Sequence, residues 1–530
     1  MLIYYVYVPI VIAVFLYIFS LHKVGKIVAL ALQAAFVGAS FHLFTLVRNQ
    51  GDITTHIGNY ESVLGIALRA DTLSTVFILL TTVIFLVAGM YSFHEKNSRL
   101  YWALFFIWEG TLIGLFLVRD FFNVFVLLEV MTIIVSILIM FKRDKRSMYE
   151  GMVYMMVNIV ATQFYLFGVG YLYMLTGVLD LDVAAEVMTQ INPSSLFLPY
   201  ALIMTAVAFK CALLPLFSWL PKAHGTPGAP SAVSALLSGL QIKAGVYLFI
   251  RMQEVFAPVA MTDFFLIIGI LTGIAGIILA MSQTDIKLIL AYSTVAQIGL
   301  IFIGLNLPGY YSFIGSLYHV MNHALFKAAL FLSAGMIKQA YDTREITEIR
   351  GLFRRIPVVA IATLVAILGI TGTPLLNGSI SKYFIMAGAG PVLTWTMIFI
   401  NLGTILIFIR YATMLFGRPK EGLAPIRFEK IRPFSVLVLA SLCFMGGIFG
   451  EWIIEYLFQV SVSVDAAGYA EKVFIFFASW FVGIVLYRFL LKPSKLLPKI
   501  KTIDLNFRGI CVSTGLFFAV MLVALHLGIG

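Results

Sequence analysis

Charge is what this sequence has least of. Acidic and basic residues make up 12% of the 530 residues, whereas soluble domains carry about 25%. A chain with so little charge cannot coat a water-exposed surface of its size. Cysteine is scarce as well. Cys211, Cys443 and Cys511 lie far apart in apolar runs and show no CxxC spacing. A disulfide framework, a zinc site or an iron–sulfur cluster is therefore not expected, and no metal or redox cofactor is assigned. Also missing are a nucleotide-binding loop, a dinucleotide fingerprint and low-complexity tracts. No soluble domain stands out. The longest polar stretches, 338–355 and 417–433, read as connectors suited to docking a partner.

What is present is apolar sequence, 61% of the chain. Runs of about 20 apolar residues recur from end to end, each long enough to span a bilayer as a helix. The pattern predicts an all-α polytopic membrane protein. Sixteen spans are expected, at 2–21, 26–47, 71–93, 100–118, 120–141, 148–177, 197–220, 228–253, 262–281, 285–305, 309–340, 356–386, 391–416, 434–457, 470–491 and 507–528. The first is too long for a signal-peptide core and has no basic n-region, so it reads as a retained helix. Lysine and arginine concentrate in the odd-numbered loops. The even-numbered loops hold only Arg48, Arg69, Arg119, Arg251 and Lys472. This asymmetry places the odd loops in the cytoplasm and both termini outside. It also assigns the formal charge of +11 to one membrane face rather than to a nucleic-acid partner.

The few charges inside the spans carry the chemistry. Glu129 lies mid-span in DFFNVFVLLEVMTIIVSILIMF. A carboxylate at that depth costs several kcal/mol unless it is paired or hydrated. The bland reading is a structural ion pair. The functional one is a group that gains and loses a proton. Lys210 is similarly deep in the seventh span and Pro215 follows it, so the helix should break just after the lysine. Irregular backbone at that depth is tolerated against protein or a wet cavity, and a desolvated lysine can shed its proton. Between Lys210 and a second buried lysine, Lys243, stand Pro215, Pro221, Pro227 and Pro230. Trp219 suits an interfacial belt. Lys222 and His224 read as a solvated loop or the mouth of an entry path. Ser231, Ser234, Ser238 and Gln241 are spaced for a polar face or for close helix packing.

Further along, Ser293 and Gln297 share a face at i, i+4, a weak signal on its own. His319, His323 and Lys327 form an i, i+4, i+8 stripe in the eleventh span, with Asn322 beside it. A single histidine there would read as a satisfied core residue. A His–His–Lys stripe points instead to proton transfer. Haem ligation is disfavoured because no clear opposed axial histidine is available. In the twelfth span Gly372, Pro374, Asn377 and Gly378 interrupt the helix just ahead of Lys382. Corresponding broken helices in two halves point to inverted repeats of five helices each. The expected division is 1–99 (N-terminal helices), 100–255 and 256–416 (two antiporter-like repeats) and 417–530 (C-terminal helices). The second repeat has no glutamate at the place of Glu129.

The segments LLEVMT, FKCALLPLFSWLPKAHGTPGAPSAVSALLSGLQIKAGVY, AYSTVAQIG and YHVMNHALFKAALFL resemble the proton-conducting membrane-transporter family. That family includes the large subunits of Mrp-type Na⁺/H⁺ antiporters, the antiporter-like subunits of complex I, and relatives in membrane-bound hydrogenases and archaeal sulfur-reducing complexes. The plan of the chain resembles the D-type member of the Mrp set. The resemblance covers about 60 to 420. It implies that Glu129 pairs with Lys210 and that Lys243 is a bridging residue. It further implies that His319 and His323 continue a polar axis and that Lys382 ends it on a broken helix. The expected function is that of an antiporter-like subunit in a hetero-oligomeric membrane complex. It would conduct H⁺ through these residues and Lys327, with Na⁺ as a candidate exchange ion, and would not be catalytic alone or bind a cofactor of its own. A free-standing transporter of another solute and a haem- or quinone-bearing redox subunit are the competing readings. The chain departs from the family's Gly-x-Pro-Pro-x-x-Gly-Phe pattern at Leu375 and Ser379. It also carries about two C-terminal spans beyond the fourteen-helix plan.

Overall fold

A computed structural model describes residues 1–19, 23–60, 65–95, 97–225, 228–494, 497–500 and 505–528. Pro227 and the end of the first expected span at Ser20 and Leu21 lie outside these residues. The helices are α1 (Ile3–Ile18), α2 (Lys23–Gln50), α3 (Thr72–Ser92), α4 (Arg99–Leu117), α5 (Phe121–Ile139), α6 (Lys145–Thr176), α7 (Leu181–Met188), α8 (Pro193–Lys210) and α9 (Trp219–Gly225). Then come α10 (Ser231–Val255), α11 (Thr262–Ser282), α12 (Ile286–Asn306), α13 (Tyr310–Tyr341), α14 (Pro357–Thr371), α15 (Asn377–Ala387) and α16 (Pro391–Ala412). The last are α17 (Ile431–Ile448), α18 (Gly450–Phe458), α19 (Ala466–Leu491) and α20 (Phe507–His526). Among the described residues, 14 helices are long and apolar enough to cross a membrane, and α1 and α14 are shorter apolar helices. The chain is a multi-pass, helical membrane protein.

Local chemistry sets the helix starts. Asp71, Ser98, Asp120, Asp144, Asp285 and Asp465 each accept a backbone N–H of the following turn. These caps satisfy donors that the first turn leaves without an intrahelical partner. Gly177 and Gly372 end α6 and α14 in the left-handed conformation. Three features differ from the sequence expectation. A short antiparallel hairpin pairs Ile53–His56 with Ala67–Ala70. The eight-residue α7 lies in an expected loop. The expected span at 434–457 is two helices, α17 and α18, meeting at Phe449.

The chain divides into two compact units. The first comprises Met1–Val233, Leu240–Phe264 and Leu505–Gly530, and the second Ser234–Gly239 and Phe265–Asp504. In the first, α1 packs on α4, α5 and α8 both pack on α6, and α20 lies against α6 and α8. In the second, α13 packs on α12, α14 and α15, α14 on α17, and α16 on α19. The two long polar connectors are tied together, with the Arg355 guanidinium donating to the Ala424 carbonyl at 2.6 Å.

Candidate functional site

In the first unit α8 ends on Lys210, and Ala212 follows at φ +54°. The break therefore falls where Pro215 places it. Lys210 is buried, and its ammonium donates to Thr132 Oγ1 at 3.1 Å and Asn158 Oδ1 at 2.9 Å. Glu129, partly buried on α5, accepts from the Thr162 hydroxyl. Thr162 and Asn158 sit one turn apart on α6, and the Thr162 hydroxyl also lies 3.1 Å from the Asn158 carbonyl. Glu129 and Lys210, among the described residues, make no direct ion pair. They are joined through neutral hydroxyl and amide groups of α6. Either group can thus change its protonation state without breaking a salt bridge.

The break is sealed from two sides. Trp219 is buried and donates to the Phe209 carbonyl at 2.9 Å, an acceptor in the last turn of α8 that it shares with the Ala212 N–H. It is a bundle residue, not the interfacial anchor its position suggested. From the other side α10 presents Gly245, where a Cβ would meet the backbone of Lys210 and Cys211 at 2.9 Å. Glycine here lets α10 lie directly on the break. A π-helical turn at Leu237–Gln241 immediately precedes Lys243, which is fully buried. Such turns are frequent at functional sites because they re-aim side chains. The polar face of α10 is satisfied by protein: Gln241 accepts from the Trp108 indole at 2.8 Å, Ser238 bonds Thr294 at 2.8 Å, and Ser234 accepts from Lys287 at 3.3 Å. His224 is buried within α9, so the solvated-loop reading fails for it.

In the second unit His319, His323 and Lys327 are fully buried along α13. The rings of His319 and His323 are 6.4 Å apart. His319 hydrogen-bonds Ser381 at 2.8 Å through Nδ1 and Gln297 at 3.1 Å through Nε2. Gln297 in turn donates to Thr404 of α16 at 3.0 Å. Lys327 donates to the Leu290 carbonyl at 2.8 Å and to the Ser293 hydroxyl. Ser293 and Gln297, a weak pattern in sequence, are thus partners of Lys327 and His319. Helix α14 stops at Gly372, and α15 begins five residues later. Lys382, in the second turn of α15, donates to the Ile370 carbonyl and to Asn401 Oδ1, both at 2.7 Å. Ile370 is in the last turn of α14, so Lys382 takes up an acceptor that the broken helix leaves open. Asn322 and Asn377 bond each other across the same break at 3.1 Å.

The neutral partners Thr132, Asn158, Thr162, Ser381, Asn401 and Thr404 were not singled out by sequence. Their only signal is a polar side chain in an apolar run, often one turn from another. Glu109, in the fourth span, also escaped notice. It is fully buried on α4 and accepts from the Gln33 amide at 2.5 Å.

Known proteins resemble this chain in sequence and in fold. The family model described as NADH:quinone oxidoreductase/Mrp antiporter, TM, matches residues 118–408. Among curated relatives, the D-type subunit of the Na⁺/H⁺ antiporter of Alkalihalophilus pseudofirmus is 28% identical over 483 residues, covering 88% of this chain and 97% of the relative. The N-type subunit of the NADH-quinone oxidoreductase of Desulforudis audaxviator is 30% identical over 471 residues, covering 83% and 93%. Among solved structures, a chain of the Mrp complex from Dietzia sp. superposes with a TM-score of 0.80 at 21% identity, covering 90% of this chain and 99% of that one. The matched segment contains both broken helices, both polar clusters and every buried lysine described above, and the chain belongs to the NADH:quinone oxidoreductase/Mrp antiporter transmembrane family.

Proposed function

We propose that this chain is an antiporter-like membrane subunit of a multisubunit ion-translocating complex and that it conducts protons, with Na⁺ as a candidate counter-ion. One observation carries the reading. In each unit a helix breaks beside a buried lysine whose ammonium donates to neutral oxygens. An ammonium so held can lose a proton and regain it. Glu129 and Lys210 form the first proton-holding pair, Lys243 follows, and His319, His323, Lys327 and Lys382 serve the second unit. The two antiporter-like repeats at 100–255 and 256–416 each contribute one broken helix. The named relatives, one of D type and one of N type, support a place among other membrane subunits. Odd-numbered loops face the cytoplasm and both termini face outside, on the distribution of lysine and arginine.

The test is ΔpH-driven cation flux in vesicles carrying the assembled complex. Glu129→Ala and Lys210→Ala should each abolish flux while the complex still co-purifies. Full flux in both variants refutes the relay, and robust flux from the chain reconstituted alone refutes the subunit role.

A further inference from the structure

The extra C-terminal helix α19 reaches the second lysine. Its inward stripe is Tyr469, Lys472, Phe476, Ser479 and Gly483, a three-then-four spacing that keeps one seam against a neighbour. Apart from Glu471 and Arg488 the rest of the helix is mostly apolar, with Phe474, Phe477 and Phe481 exposed. At the seam Tyr469 bonds Ser379 at 2.9 Å. Lys472 lies over the Tyr383 ring at 4.9 Å and donates to the Tyr383 carbonyl at 3.4 Å. The backbone N–H of Asp465, at the start of α19, donates to the Tyr383 hydroxyl at 3.2 Å.

Behind this seam is a cavity of about 70 Å³ with Lys382, Ser379, Tyr383, Asn401, Lys472 and Ser479 among its lining groups. A water needs about 10–15 Å³, so several fit, with polar partners on three helices. Two lysines thus face one small cavity with room for water. The titratable groups around it are Lys382 and Tyr383 from α15 and Tyr469 and Lys472, with its neighbour Glu471, from α19. Asn401 is the polar group of α16. Like charges on one cavity raise each other's energy, most strongly where water is scarce. The Tyr383 ring and carbonyl hold the Lys472 ammonium at one place beside the cavity.

We propose that Lys472 is a positioning residue for proton release at Lys382: its charge drives the proton from Lys382 into the cavity water, on the side of the membrane faced by the even-numbered loops. The inference rests on the proton-conducting reading of Lys382. It gives a role to a lysine on the inward stripe of a mostly apolar helix.

The experiment compares Lys472→Met, Lys472→Arg and Lys382→Ala in the assembled complex, measuring proton flux against pH. Lys382→Ala should stop flux. Lys472→Met should slow it several-fold and move its half-maximal pH upward by about one unit, because the remaining lysine holds its proton more readily. Lys472→Arg keeps the charge and should restore both rate and profile. If Lys382→Ala leaves flux intact, the underlying relay is wrong at this end. If Lys382→Ala stops flux but Lys472→Met keeps the native rate and profile, the role of Lys472 alone is wrong. A slowed Lys472→Met variant with an unmoved profile, not rescued by arginine, reduces Lys472 to a docking contact and equally overturns the proposal.

Discussion

At the scale of single residues, the unexpected feature is that neutral groups connect the charged ones. Glu129 and Lys210 could be picked out from sequence because a charge in an apolar run is costly and conspicuous. Asn158 and Thr162 could not, because threonine and asparagine occur in membrane helices for many reasons and here merely punctuate the apolar run of α6. Yet Asn158 accepts from Lys210 at 2.9 Å and Thr162 donates to Glu129. Replacing Asn158 by leucine leaves the buried ammonium one acceptor short, a penalty of about 1–3 kcal/mol. At about 1.4 kcal/mol per tenfold in rate, flux should fall roughly 10- to 100-fold. Thr162→Val should act in the same direction while assembly is preserved. Vesicle flux of the two variants decides the matter: native rates in both would mean that Glu129 and Lys210 communicate without α6. His319 is a similar case. Its place in a stripe was legible, but its partners Ser381 and Gln297 come from helices that sequence spacing cannot bring together.

At the scale of elements, the position of each break was legible and its shape was not. Proline and glycine mark both interruptions, and α8 and α14 stop at them. The backbone inside the second break is unusual at Leu375, which sits at φ +68°. A side-chain-bearing residue there is strained by about 1–2 kcal/mol. The family pattern places a second proline at this position. Proline fixes φ near −65° and cannot adopt this conformation, so the departure at Leu375 matches a different path of the chain through the break. The break is also clamped by Gly447 of α17, where a Cβ would run into the Leu375 carbonyl. Leu375 itself is 63% exposed, so its side chain contributes little packing within the chain. Two opposite outcomes follow for thermal unfolding of the purified complex. Leu375→Gly should raise the midpoint, relieving about 1 kcal/mol, whereas Leu375→Pro should lower it by the equivalent of about 3 kcal/mol. A proline variant as stable as the native chain would show that the break does not require its left-handed residue.

At the scale of the whole molecule, charge distribution is where sequence and structure inform each other most. The even-numbered loops hold few basic residues, and three of them prove to be neutralised. Arg251 pairs with Asp71 and Glu254, Arg119 with Asp182, and Arg69 with Asp52 and Asp182. The even-numbered loops are therefore poorer in free positive charge than a residue count suggests. Sequence could not reveal this, because Asp71 and Arg251 are distant along the chain and meet only through the packing of α3 and α10. The network also sets an acid limit on stability. Burial raises the Asp71 carboxyl, but the charge of Arg251 and the Ser74 N–H more than offset it, leaving Asp71 below the usual carboxylate range. Asp182 is held low in the same way, burial being outweighed by Arg119 and Arg69. A carboxylate whose affinity for protons falls on folding stabilises the protein fully above its unfolded value, about pH 4, and loses that contribution as pH falls through and below it. Asp71→Asn should then cost about 3–5 kcal/mol at neutral pH, the penalty of leaving buried Arg251 without its partner. The difference between variant and native chain should shrink as pH approaches 3. Measuring unfolding of both across that range isolates Asp71, because Asp120 and Asp180, which burial pushes upward, are common to both and cancel. A gap that stays constant from neutral pH to pH 3 would show that Asp71 binds its proton equally well in the folded and unfolded chain, and that its charge lends no pH-dependent stability.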